Sequence, residues 1–222
     1  MTKNIIFMGT SEFAVPILKS LHESKYNIST VYTQPPKKSD RGQKITKSPI
    51  QVVSEKFDLN LRCPKILKGN EKEYDFLKKL NVDLAIVVAY GKIIPKKFLE
   101  LTKKGFINIH GSILPKWRGA APIQRAIMNQ DSEIGISIMK INENLDSGPV
   151  SNIYSMKLDF SLNFQEVSRK LSILAAKEII KNINDILSDN SHFVNQDHSK
   201  ATYAKKIDKK EGKINWSDNV ST

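Results

Sequence analysis

The 222-residue chain holds a single cysteine, Cys63, and five arginines, and its longest unbroken apolar run is the seven-residue LAIVVAY at 84–90. One cysteine excludes an internal disulfide framework and fits a reducing compartment. Seven apolar residues fall far short of the ~20 that cross a bilayer as a helix. The N-terminal TKNIIFMGT reads as an apolar strand ending in glycine, without the long apolar core and small-residue cleavage site of a secretory leader. A G-x-x-x-x-G-K-[ST] phosphate loop is missing, as is a full G-x-G-x-x-G turn, so neither P-loop hydrolysis nor dinucleotide binding is indicated. No His, Cys and carboxylate cluster has metal-ligand spacing, and no metal is expected. These absences leave a cytoplasmic chain with no membrane partner.

What is present is positive charge. Lys and Arg number 35 against 23 Asp and Glu, a formal charge of +12, while 40% hydrophobic residues suffice for a core. Such an excess suits a polyanionic partner, nucleic acid above all. A plainer source is also open, because Lys, Ile and Asn abound throughout. Local clustering favours the partner. QPPKKSDRGQKITKS places Lys37, Lys38, Arg41, Lys44 and Lys47 against one acid, Asp40, in a Pro/Gly/Ser-rich stretch that reads as an exposed loop. A second cluster lies over 200–213. Where arginine is scarce, Arg41, Arg118 and Arg125 are candidates for the paired hydrogen bonds that a planar guanidinium makes and an ammonium does not; structural ion pairs are the alternative.

The hydropathy pattern predicts strands over 4–9, 28–33, 84–90, 106–110, 135–141 and 150–157. It predicts helices from Phe13, over 49–57 and 71–80, from Pro122, and over 163–187. Strands alternating with helices, one of them apolar on both faces, imply an α/β fold: a Rossmann-like, mainly parallel sheet with helices on both faces. Ligands bind beyond the carboxyl ends of such strands. Three ends carry chemistry: Gly9-Thr10-Ser11, Tyr90-Gly91, and the stretch from Asn108 to Ser112.

Strand alternation puts Asn108 and His110 on one face, where FINIH opens into GSILPKWRGAAP. A core histidine bonded to a backbone carbonyl is the plain alternative. NENLDSGPV offers Asp146, either as an ordinary Asp turn or as the carboxylate that sets the imidazole tautomer of His110 and helps move a proton. No Ser or Cys nucleophile is needed if the substrate brings its own amine.

NIHGSILPKWRGAAPIQRAI with NENLDSGPV resembles the methionyl-tRNA formyltransferase family. IIFMGTSEFAVPIL, VYTQPP, VVAYGKIIP and ATYAKKIDKKEGKINW follow the same family in order and spacing. The resemblance implies a formyltransferase catalytic domain over 1–190. It makes 191–222 a basic linker that leads, in the family, to a C-terminal β-barrel absent from this chain. It implies formyl transfer from 10-formyltetrahydrofolate to the α-amine of methionyl-initiator tRNA by a monomer, with Asn108, His110 and Asp146 catalytic. Val88, Ala89, Tyr90 and Gly91, with Ser112, Ile113, Leu114 and Pro115, would hold the folate, although Val88, Leu114 and Pro115 also suit plain core. Lys37, Lys38, Arg41 and Lys44 would meet the tRNA acceptor arm. Two departures stand out: Pro149 follows the LDSG turn, and Gly111 follows the histidine where alanine is commoner. A sugar-nucleotide N-formyltransferase and a non-catalytic basic RNA-binding module are the rival readings.

Overall fold

The structure is a computed structural model that describes residues 2–39 and 44–213. In chain order its elements are β1 (Asn4–Gly9), α1 (Val15–His22), β2 (Asn27–Tyr32), β3 (Lys37–Ser39), β4 (Lys44–Thr46), α2 (Pro49–Lys56), β5 (Leu61–Arg62) and α3 (Glu71–Lys79). There follow β6 (Leu84–Val88), α4 (Lys96–Leu99), β7 (Phe106–His110), β8 (Arg118–Gly119), α5 (Pro122–Met128), β9 (Glu133–Lys140), β10 (Val150–Lys157), α6 (Phe164–Leu187) and β11 (Tyr203–Ala204).

Seven strands form one sheet in the order β10-β9-β7-β6-β1-β2-β5. The five strands from β7 to β5 are parallel; β9 turns antiparallel to β7, and β10 to β9. Side-chain alternation splits the core in two. Ile5, Phe7, Leu84, Ile86, Val88, Ile107 and Ile109 pack on one face with α1 and α6. Ile6, Met8, Ala85, Val87 and Phe106 pack on the other with Leu77 of α3 and Phe98 of α4. Burial on both faces explains why β6 reads as continuous hydrophobics. The helix α6 presents Val167, Leu171, Ala175, Ile179, Ile183 and Ile186 to the core, mostly four residues apart. Asn163 and Glu166 form its capping box, so the helix starts one residue later than the pattern predicts.

From β1 the chain moves first to β2 and β5 and later to β6 and β7 on the opposite side. The crevice beyond Gly9 and Val88, which are register partners, is therefore the topological switch point.

Two segments without a strong hydropathy pattern carry pairing of their own. The flanks of the basic stretch pair as the antiparallel ribbon β3–β4, with Lys37 opposite Thr46 and Lys38 opposite Ile45. Arg41 lies outside the described residues. The segment after Asn190 packs back onto the domain: Val194 pairs with Val150, and β11 lies parallel to β8. Among the described residues no helix is long and apolar enough to cross a membrane.

Candidate active site

The strand β7 carries Asn108 and His110 on the α3/α4 face, as alternation predicts, and ends at the histidine. Its antiparallel neighbour β9 sets Met139 against Asn108 and Ser137 against His110. Ser137 is fully buried among the isoleucines at the centre of β9. Its hydroxyl donates to the Ser112 carbonyl at 2.7 Å and accepts from the Leu114 amide at 3.0 Å, pinning the turn that leaves β7. Ser112 is also buried, and its hydroxyl donates to the Lys116 carbonyl at 2.6 Å. The peptide bond between Leu114 and Pro115 is cis.

His110 is 5% exposed. Its Nε2 lies 2.8 Å from the Trp117 carbonyl oxygen. A carbonyl only accepts, so Nε2 carries a hydrogen and Nδ1 is the nitrogen left for exchange. Nδ1 faces Asp146 Oδ2 at 3.6 Å. The Asn108 amide donates to Asp146 Oδ1 at 3.4 Å, and the Gly119 amide donates to Asp146 Oδ2 at 2.9 Å. One carboxylate thus draws together β7, the end of β8 and the loop between β9 and β10.

That loop is tightly folded. Asp146 has φ +44, a left-handed conformation that Asp tolerates better than most residues. A Cβ at Gly148 would run into the Lys140 carbonyl oxygen, so the turn closes only with glycine there. Gly111 is closely packed as well: a Cβ there would lie 3.2 Å from Ile123 Cγ1, so an alanine fits only if that side chain gives by a few tenths of an ångström.

Beyond β6 the backbone turns sharply, with φ +47 at Ala89 and φ +70 at Gly91. The Tyr90 carbonyl accepts from Thr10 Oγ1 at 2.9 Å and Gln34 Nε2 at 2.8 Å. Among the described residues the amides of Ala89, Tyr90 and Gly91 have no hydrogen-bond partner, and Ala89 and Gly91 are exposed. The Tyr90 ring is buried on the α3/α4 face, where burial pushes its hydroxyl well above the usual tyrosine range; that hydroxyl also lacks a partner among the described residues. Val88 and Leu114 are core residues, while Ile113 and Pro115 are half-buried.

Of the arginines singled out by their rarity, Arg118 and Arg125 both face the C-terminal segment. Arg118 is buried against Gln196 and His198. Arg125 donates to the Lys205 carbonyl and, through both terminal nitrogens, to Glu211 at 2.6 and 3.0 Å. An open cleft of about 660 Å³ lies there, lined by Trp117, Arg125, Tyr203, Lys205, Lys206 and Glu211 among others. Sequence reasoning found its lysines but missed Trp117, Ser137 and Gln196. Only Ser137 left a signal, as a lone hydroxyl in an isoleucine-rich strand.

An amide, an imidazole and a carboxylate thus converge at the carboxyl edge of the parallel strands. The sequence profile of the Formyl transferase family matches residues 3–183. The chain is 62% identical over 222 residues to the methionyl-tRNA formyltransferase of Pelagibacter ubique (strain HTCC1062), covering 100% of this chain and 72% of that protein. It is 46% identical over 217 residues to the methionyl-tRNA formyltransferase of Caldicellulosiruptor saccharolyticus, covering 96% of this chain and 68% of that one. In fold it is similar to WlaRD, a sugar 3N-formyl transferase solved with dTDP and 5-N-formyl-THF, with a TM-score of 0.69 at 19% identity over 98% of this chain and 75% of that one. A phosphoribosylglycinamide formyltransferase from Anaplasma phagocytophilum superposes with a TM-score of 0.68 at 19% identity, over 85% of this chain and 89% of that one. The chain belongs to the formyl transferase family.

Proposed function

We propose that this chain transfers the formyl group of 10-formyltetrahydrofolate to the α-amine of methionyl-initiator tRNA, for translation initiation. The observation that carries the reading is the convergence of Asn108, His110 and Asp146 in a chain 62% identical to a methionyl-tRNA formyltransferase. The folate supplies the formyl carbon, held on one of its nitrogens. The unpartnered amides of Ala89, Tyr90 and Gly91 and the turn from Ser112 to Pro115 are the residues that fit it.

The chain's own groups then do three things. Asn108 spends one amide hydrogen on Asp146 and keeps the second for an oxygen gathering negative charge. His110 has Nε2 committed to the Trp117 carbonyl, so it acts through Nδ1. The 3.6 Å between Nδ1 and Asp146 exceeds a hydrogen bond, so in the neutral ring Nδ1 keeps a free lone pair with which to take up a proton from an incoming group. Asp146, fixed by the Gly119 amide, holds the ring's orientation and takes part in passing the proton to the leaving nitrogen. An α-amine, whose ordinary pKa lies near 8, attacks once deprotonated.

By the family resemblance, Lys37, Lys38, Arg41 and Lys44 would meet acceptor-arm phosphates. The cleft of Trp117, Tyr203, Lys205 and Lys206 combines aromatic faces with positive charge, a pairing that suits unstacked nucleotides. The chain is read as a cytoplasmic monomer.

A formylation assay tests the reading. The chain is offered 10-formyltetrahydrofolate with methionyl-initiator tRNA, an amino-sugar nucleotide or glycinamide ribonucleotide. Formyl-methionyl-tRNA is the expected product. Formylation of the amino-sugar nucleotide alone, or of no acceptor, would overturn it.

A further inference from the structure

Arg118 is 3% exposed, yet among the described residues it makes no ion pair with a carboxylate. A buried guanidinium is costly unless its donors are satisfied. Its acceptors are neutral. Gln196 Oε1 receives Nε at 3.1 Å and a terminal nitrogen at 2.7 Å, and His198 Nδ1 lies 3.2 Å from that same nitrogen.

This pairing dictates which way the Gln196 amide faces. Arginine only donates, so the amide oxygen must point at Arg118 and the amide nitrogen must point away. On that far side Gln196 Nε2 donates to the Asp146 carbonyl at 3.0 Å and to the Gly148 carbonyl at 2.7 Å. Both hydrogens and both lone pairs of one side chain are thus used, at a residue 8% exposed. The two carbonyls flank the left-handed turn that aims the Asp146 carboxylate at His110. Gln196 is itself held at both ends: Val194 pairs with Val150 just past that turn, and β11 pairs with β8, which follows the Trp117 carbonyl that His110 engages.

We infer that Gln196 is a positioning residue for Asp146, locked in its working orientation by Arg118. It lies beyond residue 183, where the family match ends. The segment after α6 is therefore part of the catalytic apparatus. The inference rests on the reading of Asp146 as catalytic.

Two substitutions separate positioning from bulk stability. Gln196→Leu removes both contacts. Gln196→Glu keeps the shape and gives Arg118 a charged partner, but sets an acceptor oxygen against the Asp146 and Gly148 carbonyls, so it folds even if the leucine variant does not. Three measurements are made on the full chain: kcat and KM for formylation of methionyl-tRNA, the thermal unfolding midpoint, and the ¹⁵N resonances of the His110 imidazole. Both variants are expected to lower kcat by about 10- to 100-fold, as a misplacement near 1 Å does. KM for the formyl donor should change by less than about threefold. Gln196→Glu should melt near the wild-type temperature, and its His110 resonances should move. Wild-type kcat with unmoved His110 resonances in Gln196→Glu would overturn the inference, as would a kcat loss matched by unfolding with those resonances unmoved. If wild-type protein formylates no methionyl-tRNA, the proposed function fails, and the His110 resonances still decide whether Gln196 sets the Asp146–His110 geometry.

Discussion

His110 and Asp146 face each other across 3.6 Å, Nδ1 toward Oδ2, while the other ring nitrogen is tied to the Trp117 carbonyl at 2.8 Å. The ring can neither flip nor slide without breaking a bond to the backbone, so the nitrogen presented to the carboxylate is settled before any substrate arrives.

Replacing Asp146 with Asn should isolate that carboxylate's chemical role. Asn keeps an oxygen for the Gly119 amide, so the loop stays closed. It carries no charge and is no proton acceptor. The expected outcome is a kcat loss of about 10²- to 10⁴-fold, with an unfolding midpoint close to wild type, measured by single-turnover formylation and thermal melting.

Gly148→Ala should damage the loop itself. The new Cβ meets the Lys140 carbonyl in a strand that cannot retreat, because Lys140 pairs with Ile107 in the sheet. Destabilisation of at least ~2 kcal/mol is expected, read from chemical denaturation. Activity should fall further than the folded fraction, since Asp146 is two residues away.

Acid should act through Glu73. Burial raises its carboxyl, but hydrogen bonds from Arg62 and Tyr32 and the charge of Arg62 outweigh burial and hold it below its ordinary value of 4.5. A depressed folded value means that the stabilisation is complete above the ordinary value and drains as pH falls through the folded one. The unfolding free energy should therefore decline below about pH 5. Glu73→Gln should cost about 2 kcal/mol at pH 7, allowing for the partial exposure of Arg62, and should flatten that decline. Urea unfolding across pH 3 to 7 checks both points.

Ionic strength should report the basic ribbon. If Lys38 and Lys44 meet phosphates, replacing either with Ala weakens binding alike for all tRNA sequences. Each loss should lower the slope of log affinity against log salt by about 1. Filter binding from 50 to 300 mM salt measures it, and an unchanged slope would remove those lysines from the tRNA surface.

Local pattern carried much of this to the reader of the sequence. The two-residue period placed Asn108 with His110, and the doubly apolar LAIVV identified a central parallel strand. What stayed hidden depends on contacts distant along the chain. Gln196 is 50 residues from Asp146 and 78 from Arg118, and nothing in NQDHSK marks it as buried. Arginine's rarity drew attention to Arg118 and Arg125, whose partners lie in the C-terminal segment, Arg125 in the structural ion pair with Glu211 that was the plainer alternative. The antiparallel turn of β9 was also illegible, because an isoleucine-rich strand buried on both faces reads the same in either direction.

Formyl transfer in this reading depends on His110 working through its free ring nitrogen beside Asp146. Its most direct test is the single-turnover rate of formyl transfer to methionyl-tRNA by His110→Ala, with donor and acceptor saturating and folding verified by melting. A drop of about 10²-fold or more is the predicted result, and a rate equal to wild type would contradict it.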